Sequence, residues 1–172
     1  MHRFFIATVL GLAGLAALAS AVALGGDGPL PAELQDVRAA VARYHSVKQA
    51  TSDGYVQASP CASSPAGTMG YHYVNGALMA DPVIDPLQPE ALLYVPDGNG
   101  DLKLVAVEYV KLDDDGSLLT DNDRPFFFGQ AFDGPMPGHN PGMPVHYDLH
   151  VWVAERNPAG VYAQWNPALR CR

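Results

Sequence analysis

The texture of the chain changes once, at Asp53-Gly54, and that break governs what it can fold into. Before it, Leu34, Val37, Val41, Tyr44 and Val47 recur at spacings of three and four, one apolar stripe on a helix whose other face carries Glu33, Asp36, Arg38 and Lys48. Pro31 suits the start of such a helix, where a missing N–H is tolerated, and Gly54 suits a left-handed cap at its end. After the break come short runs of alternating, β-branched and aromatic residues separated by Gly, Pro, Asn and Asp. The best are Met69 to Asn75, Ala91 to Val95, Leu102 to Lys111, Phe126 to Phe132, Tyr147 to Val153 and Val161 to Trp165. These read as strands, and their spacing and turn signals favour antiparallel pairing. The expected fold is α+β: one N-terminal amphipathic helix packed on a curled, mainly antiparallel sheet of five to six strands. A small β-barrel with an appended helix is the alternative.

The first residues follow other rules. Arg3 precedes an apolar, acid-free run from Phe4 through Ala23, which ends in Ala19-Ser20-Ala21 and Ala21-Val22-Ala23. This is the pattern of a secretory signal peptide with small-x-small cleavage sites, so residues 1–23 are expected to be removed, leaving 24–172 as a single domain. The competing reading is an uncleaved anchor, because the run is nearly long enough to cross a hydrocarbon core of roughly 30 Å. With cleavage the protein is secreted or periplasmic and holds no membrane segment.

Among 172 residues, 18 acidic side chains face ten basic ones, for a net charge of −8. Loss of Arg3 deepens the excess, and no basic stripe interrupts it, so nucleic acid is not an expected partner. The two cysteines, Cys61 and Cys171, read as a disulfide in an oxidising compartment, against the alternative of two thiols serving as ligands or nucleophiles.

The chemistry concentrates in His146-Tyr147-Asp148-Leu149-His150-Val151-Trp152. On a strand, period two sends His146, Asp148, His150 and Trp152 to one face and Tyr147, Leu149 and Val151 to the other. His146 and His150 would then stand about 13 Å apart along the strand, too far to share one ion unless the chain bends near Pro144. Elsewhere, His72 lies within Gly70-Tyr71-His72-Tyr73-Val74, and Glu108 interrupts the apolar strand face Leu104, Ala106, Val110. A carboxylate there needs a partner, since burying it unpaired costs several kcal/mol. If these strands are neighbours, His72, Glu108, His146 and His150 converge as ligands for a divalent transition metal, Zn, Cu, Mn or Fe. Asp148 would orient an imidazole from behind. A metal-free polar pocket and purely structural His–carboxylate pairing are the other two readings.

Other templates do not apply. No Gly-x-Ser-x-Gly elbow and no phosphate-cradling glycine loop is present. Asp97-Gly98-Asn99-Gly100-Asp101 starts like a calcium loop but has Leu102 where glycine is required, and reads instead as a hairpin turn. The run from Gly134 to Pro144, rich in Gly and Pro, is a candidate pocket rim. With Trp152 and Trp165 it supports a rival from another class: a metal-free module binding a small apolar or aromatic ligand. An exposed edge strand would offer a second copy a place to pair, so a homodimer is also open.

The segments Gly67-Thr68-Met69-Gly70-Tyr71-His72-Tyr73-Val74-Asn75, Leu104-Val105-Ala106-Val107-Glu108-Tyr109, Pro144-Val145-His146-Tyr147-Asp148-Leu149-His150-Val151-Trp152, Asn157-Pro158-Ala159-Gly160 and Trp165-Asn166-Pro167 carry a family resemblance. Through them the chain resembles an uncharacterised family of exported bacterial proteins. The resemblance implies a bacterial envelope location and carries no activity with it, so the enzyme question stays open.

Overall fold

The computed structural model describes residues 29–172, so the expected signal segment, residues 1–23, lies outside the described residues. The helical stripe is present but is cut in two: α1 (Ala32–Val41) runs through a short 3-10 turn (Ala42–His45) before α2 (Val47–Ser52). Ser46 is extended between them, and its hydroxyl accepts from the Gln49 N–H, the usual way a serine satisfies an orphan donor at a helix start. Leu34, Val37, Val41 and Tyr44 stay buried across the break.

Nine strands and one further helical turn follow: β1 (Tyr55–Gln57), β2 (Ala62–Ser64), β3 (Gly67–Asn75), α3 (Gly76–Met79), β4 (Ala91–Pro96), β5 (Leu102–Leu112), β6 (Phe126–Phe127), β7 (Gln130–Ala131), β8 (Asp133–Met136) and β9 (His146–Val151). Seven form one antiparallel sheet in the order β1-β3-β4-β5-β9-β8, with β2 also on β3, while β6 and β7 form a separate small hairpin. The sheet ends at β1 and β8 and does not close, so the barrel alternative is not adopted. It also has more strands than expected. Strands as short as β1 and β2 have too few residues to display a period of two, and β8 contains Gly134-Pro135, which reads as loop in the sequence.

Period two gives the sheet two different faces. One carries Tyr73, Leu92, Tyr94, Leu104, Val107, Tyr109, Tyr147, Leu149 and Val151 and buries the helical stripe against them. The Tyr94 hydroxyl donates to the Tyr44 carbonyl at 2.6 Å, so even the phenol tip within this layer is satisfied. The opposite face has a smaller core of Met69, Leu93, Val95, Val105, Ala106 and Trp152, beside which His72, Glu108 and His150 project.

The C-terminal segment closes over that second face. Val161 to Trp165 is not the strand its sequence suggests: the Val161 carbonyl accepts from the Trp152 backbone N–H, but beyond it the carbonyls go to side chains rather than to a ladder, with Asn157 Nδ2 donating to Ala163 and Trp165 and Trp152 Nε1 donating to Ala163. Thr68 bridges to Asn166, where the two backbones come so close that a Cβ on Gly67 would sit 2.4 Å from the Asn166 carbonyl oxygen. Only glycine accommodates this approach together with a φ of +143°. The Cys61–Cys171 disulfide is formed and fastens the end of the chain to the segment before β2. Asp97 to Asp101 makes the β4–β5 turn, with the Asp97 N–H donating to the Asp101 carbonyl.

Candidate metal centre

Three strands deliver three donors. On β5, Glu108 lies directly opposite Ala91 of β4 on one side and His150 of β9 on the other, and directly opposed residues share a face. His72 comes from β3, across β4, where Ala91 contributes only a methyl group to the row beside Glu108. The carboxylate spans the two rings: Oε2 lies 3.6 Å from His72 Nε2 and Oε1 lies 3.8 Å from His150 Nε2. The imidazoles meet edge to face with centroids 6.2 Å apart. Among the described residues, His72, Glu108 and His150 form the one group of metal-ligand type whose donor atoms all lie within 4.8 Å of one another.

The hydrogen bonds behind these donors fix their roles. The Ser59 hydroxyl stands 2.8 Å from the Pro60 carbonyl, and with its proton directed there its oxygen accepts on the His72 side. It accepts from the His72 backbone N–H and stands 3.0 Å from Nδ1, an arrangement that suits the tautomer with the ring proton on Nδ1. Nε2 is left with its lone pair facing Glu108. Behind His150, Asp148 Oδ1 lies 3.7 Å from Nδ1, the position of a carboxylate that orients an imidazole ligand. These ion-pair distances exceed hydrogen-bond length, and both ring nitrogens of His150 and both oxygens of Asp148 are buried with no hydrogen-bond partner.

Burial pushes the Glu108 carboxyl up to about 8. The same desolvation, with the charge of His150 adding to it, takes His72 down to about 3, so that ring is neutral. For His150 burial again opposes charge, but Glu108 and Asp148 outweigh it and hold the ring at about 9. Asp148 is kept ionised against its burial by His150, with His146 and His139 adding to the effect.

His146, expected among the ligands, stands apart from the three. β9 pairs with β5 without a bulge from His146 to Val151, so no bend brings it back toward His150. Its Nδ1–H donates to the Pro144 carbonyl at 3.2 Å, and its ring packs edge-on against His139 with centroids 4.9 Å apart.

A cavity of about 720 Å³ opens over the three donors. His139, Asn140 and Met143, from the glycine- and proline-rich loop, line it, as does Trp165. Trp152 does not: it is buried in the second core with its indole N–H bound to Ala163, which corrects the rival pocket drawn from sequence. Ser59 and Met79 also line the cavity and went unnoticed in the sequence, where neither sits in a pattern that marks it.

No family model, curated protein or solved structure matches this chain. What defines it is its own architecture: an open α+β sheet with a His/Glu/His group on the face away from α1 and α2. Among the described residues no helix is long and apolar enough to cross a membrane.

Proposed function

We propose that this chain is an exported protein that binds one divalent transition metal, Zn, Cu, Mn or Fe, through His72 Nε2, Glu108 and His150 Nε2. The observation that carries the reading is the spacing of the Glu108 oxygens from the two imidazoles, 3.6 and 3.8 Å, with the His150 nitrogens unpartnered. Two ligands each about 2.0–2.1 Å from a tetrahedral zinc stand roughly 3.4 Å apart, so the carboxylate and each imidazole need only a small contraction, and the three donors together close in from within 4.8 Å. A direct hydrogen bond would have drawn the groups closer, and an apolar site would not have collected three donors. Export is supported by the disulfide and by the leader pattern.

Structural zinc sites close with four protein ligands, whereas three protein ligands beneath a cavity leave a position for water or substrate. Such a centre supports hydrolytic chemistry with zinc, and two imidazoles with one carboxylate also suit iron and oxygen. The reading is tested by elemental analysis of protein purified from an oxidising compartment. Stoichiometric metal lost in His72→Ala and His150→Ala but retained in His146→Ala is the expected result. Protein that is metal-free and ignores added Zn, Cu, Mn and Fe would overturn it and favour the second reading, a metal-free ligand-binding module, which the cavity itself supports.

A further inference from the structure

The residues that line the cavity include no lysine and no arginine. A divalent ion ligated by the Glu108 carboxylate and two neutral imidazoles retains at most one unit of positive charge, the ionised Asp148 behind His150 offsets it further, and no lysine or arginine lines the space to share an anion. A ligand with one negative charge or none is matched there. A dianion such as a phosphate monoester would keep an uncompensated charge against apolar walls, which is strongly unfavourable.

The walls set the rest of the ligand. Val74, Met79 and Met143 are half-buried apolar residues that line the cavity, yet they join neither apolar core. Met69 and Trp165 line it from the second core. Thioethers and an indole together favour an aromatic ring, through sulfur–aromatic contact and ring stacking. The volume, about 720 Å³, lies within the range of small-molecule sites. The loop that brings Met143 is folded tightly on itself: a Cβ on Gly138 would meet the Met143 carbonyl oxygen at 2.0 Å, so this wall has a defined place.

From the metal reading above, on which this inference rests, we infer that the centre takes a small aromatic molecule with one singly charged or neutral oxygen-donor head. The head completes the coordination of the metal, and the ring lies among Met79, Met143 and Trp165.

The test uses the full exported chain loaded with Co(II), whose visible absorption reports its ligands. Three probes are titrated: benzohydroxamate, acetohydroxamate with the same head and no ring, and phenyl phosphate with the ring and a dianionic head. The expected result is benzohydroxamate binding at least tenfold more tightly than either of the others. Met143→Ala and Met79→Ala, both outside the cores, should lower that preference while Co(II) is still bound. Equal affinity for the two hydroxamates, or tighter binding of phenyl phosphate, would overturn the ligand assignment while leaving the metal centre intact. Failure of the wild-type chain to bind Co(II), visible before any probe is added, would overturn both.

Discussion

Glu108 and His150 face each other directly across β5 and β9, with Oε1 3.8 Å from Nε2 and the carboxylate buried at the floor of the cavity. The pairing makes Glu108 the hinge of the site, since its other oxygen faces His72. Glu108→Gln keeps the shape and removes the charge. Metal affinity should fall by more than the roughly 10–100-fold typical of losing an outer partner. The metal-free variant should melt no lower than wild type at pH 8, because it no longer buries an ionisable carboxyl. Competition with a chromophoric chelator and a thermal melt read the two effects separately, and unchanged affinity would remove Glu108 from the centre.

Ser59→Ala tests the tautomer of His72. Without an oxygen to accept the Nδ1 proton, the ring is free to turn or to place its proton on Nε2, where it blocks coordination. Affinity should drop about 10–100-fold. Stability should change little, since Ser59 is half-buried at a segment end. Ser59→Thr, which retains the hydroxyl, should restore binding, whereas a loss equal to that of Ser59→Ala would mean that the hydroxyl is not what matters.

Metal uptake should depend on pH with a defined sign. In the metal-free protein burial raises the Glu108 carboxyl and the charges of Glu108 and Asp148 raise His150, so at pH 7 the pair holds protons that an incoming ion must displace. Affinity should climb from pH 6 to pH 9 and then level off, with about one to two protons released per ion at pH 7. Calorimetry in buffers of different ionisation enthalpy counts them. Both folded pKa values lie above their unfolded counterparts of 4.5 and 6.5, so the stability these two groups lend is full below those values and is lost as pH rises through 8 and 9. Metal-free protein should therefore weaken over the range in which metal binding strengthens.

Cys61→Ser with Cys171→Ser opens a loop spanning 110 residues. On the chain-entropy model this costs about 4–5 kcal/mol, to be measured by urea unfolding of the metal-free chain. Cys61 also lines the cavity two residues from Ser59, so the same variant should bind metal more weakly even where it remains folded. Equal affinity in the folded variant would show that the bridge serves stability alone.

The split between what could be read in the sequence and what could not has physical causes. The face shared by His146, Asp148 and His150 followed from strand alternation, and Glu108 stood out because one acid interrupted an apolar run. That His72 reaches the same site depends on β3, β4, β5 and β9 lying in order, and pairing order has no local signature. His146 could join the others only through a bend in the chain, and β9 stays regular there. Ser59 acts through a hydroxyl at the end of an irregular segment, a role that no periodicity marks. The end of the chain misled for a related reason: Val161 to Trp165 has strand-like residues, but Asn157 and Trp152 take up the carbonyls a neighbouring strand would use.

Because the three donors come from β3, β5 and β9, they are far apart along the polypeptide and meet only once those strands have paired. A chain threaded across a membrane before folding would carry no ion with it. It would be charged on the far side, after the sheet has formed, so the ion it takes would be decided by what that compartment offers rather than by the cytoplasmic supply. Preparations folded in different surroundings should then differ in the metal they contain while sharing one fold.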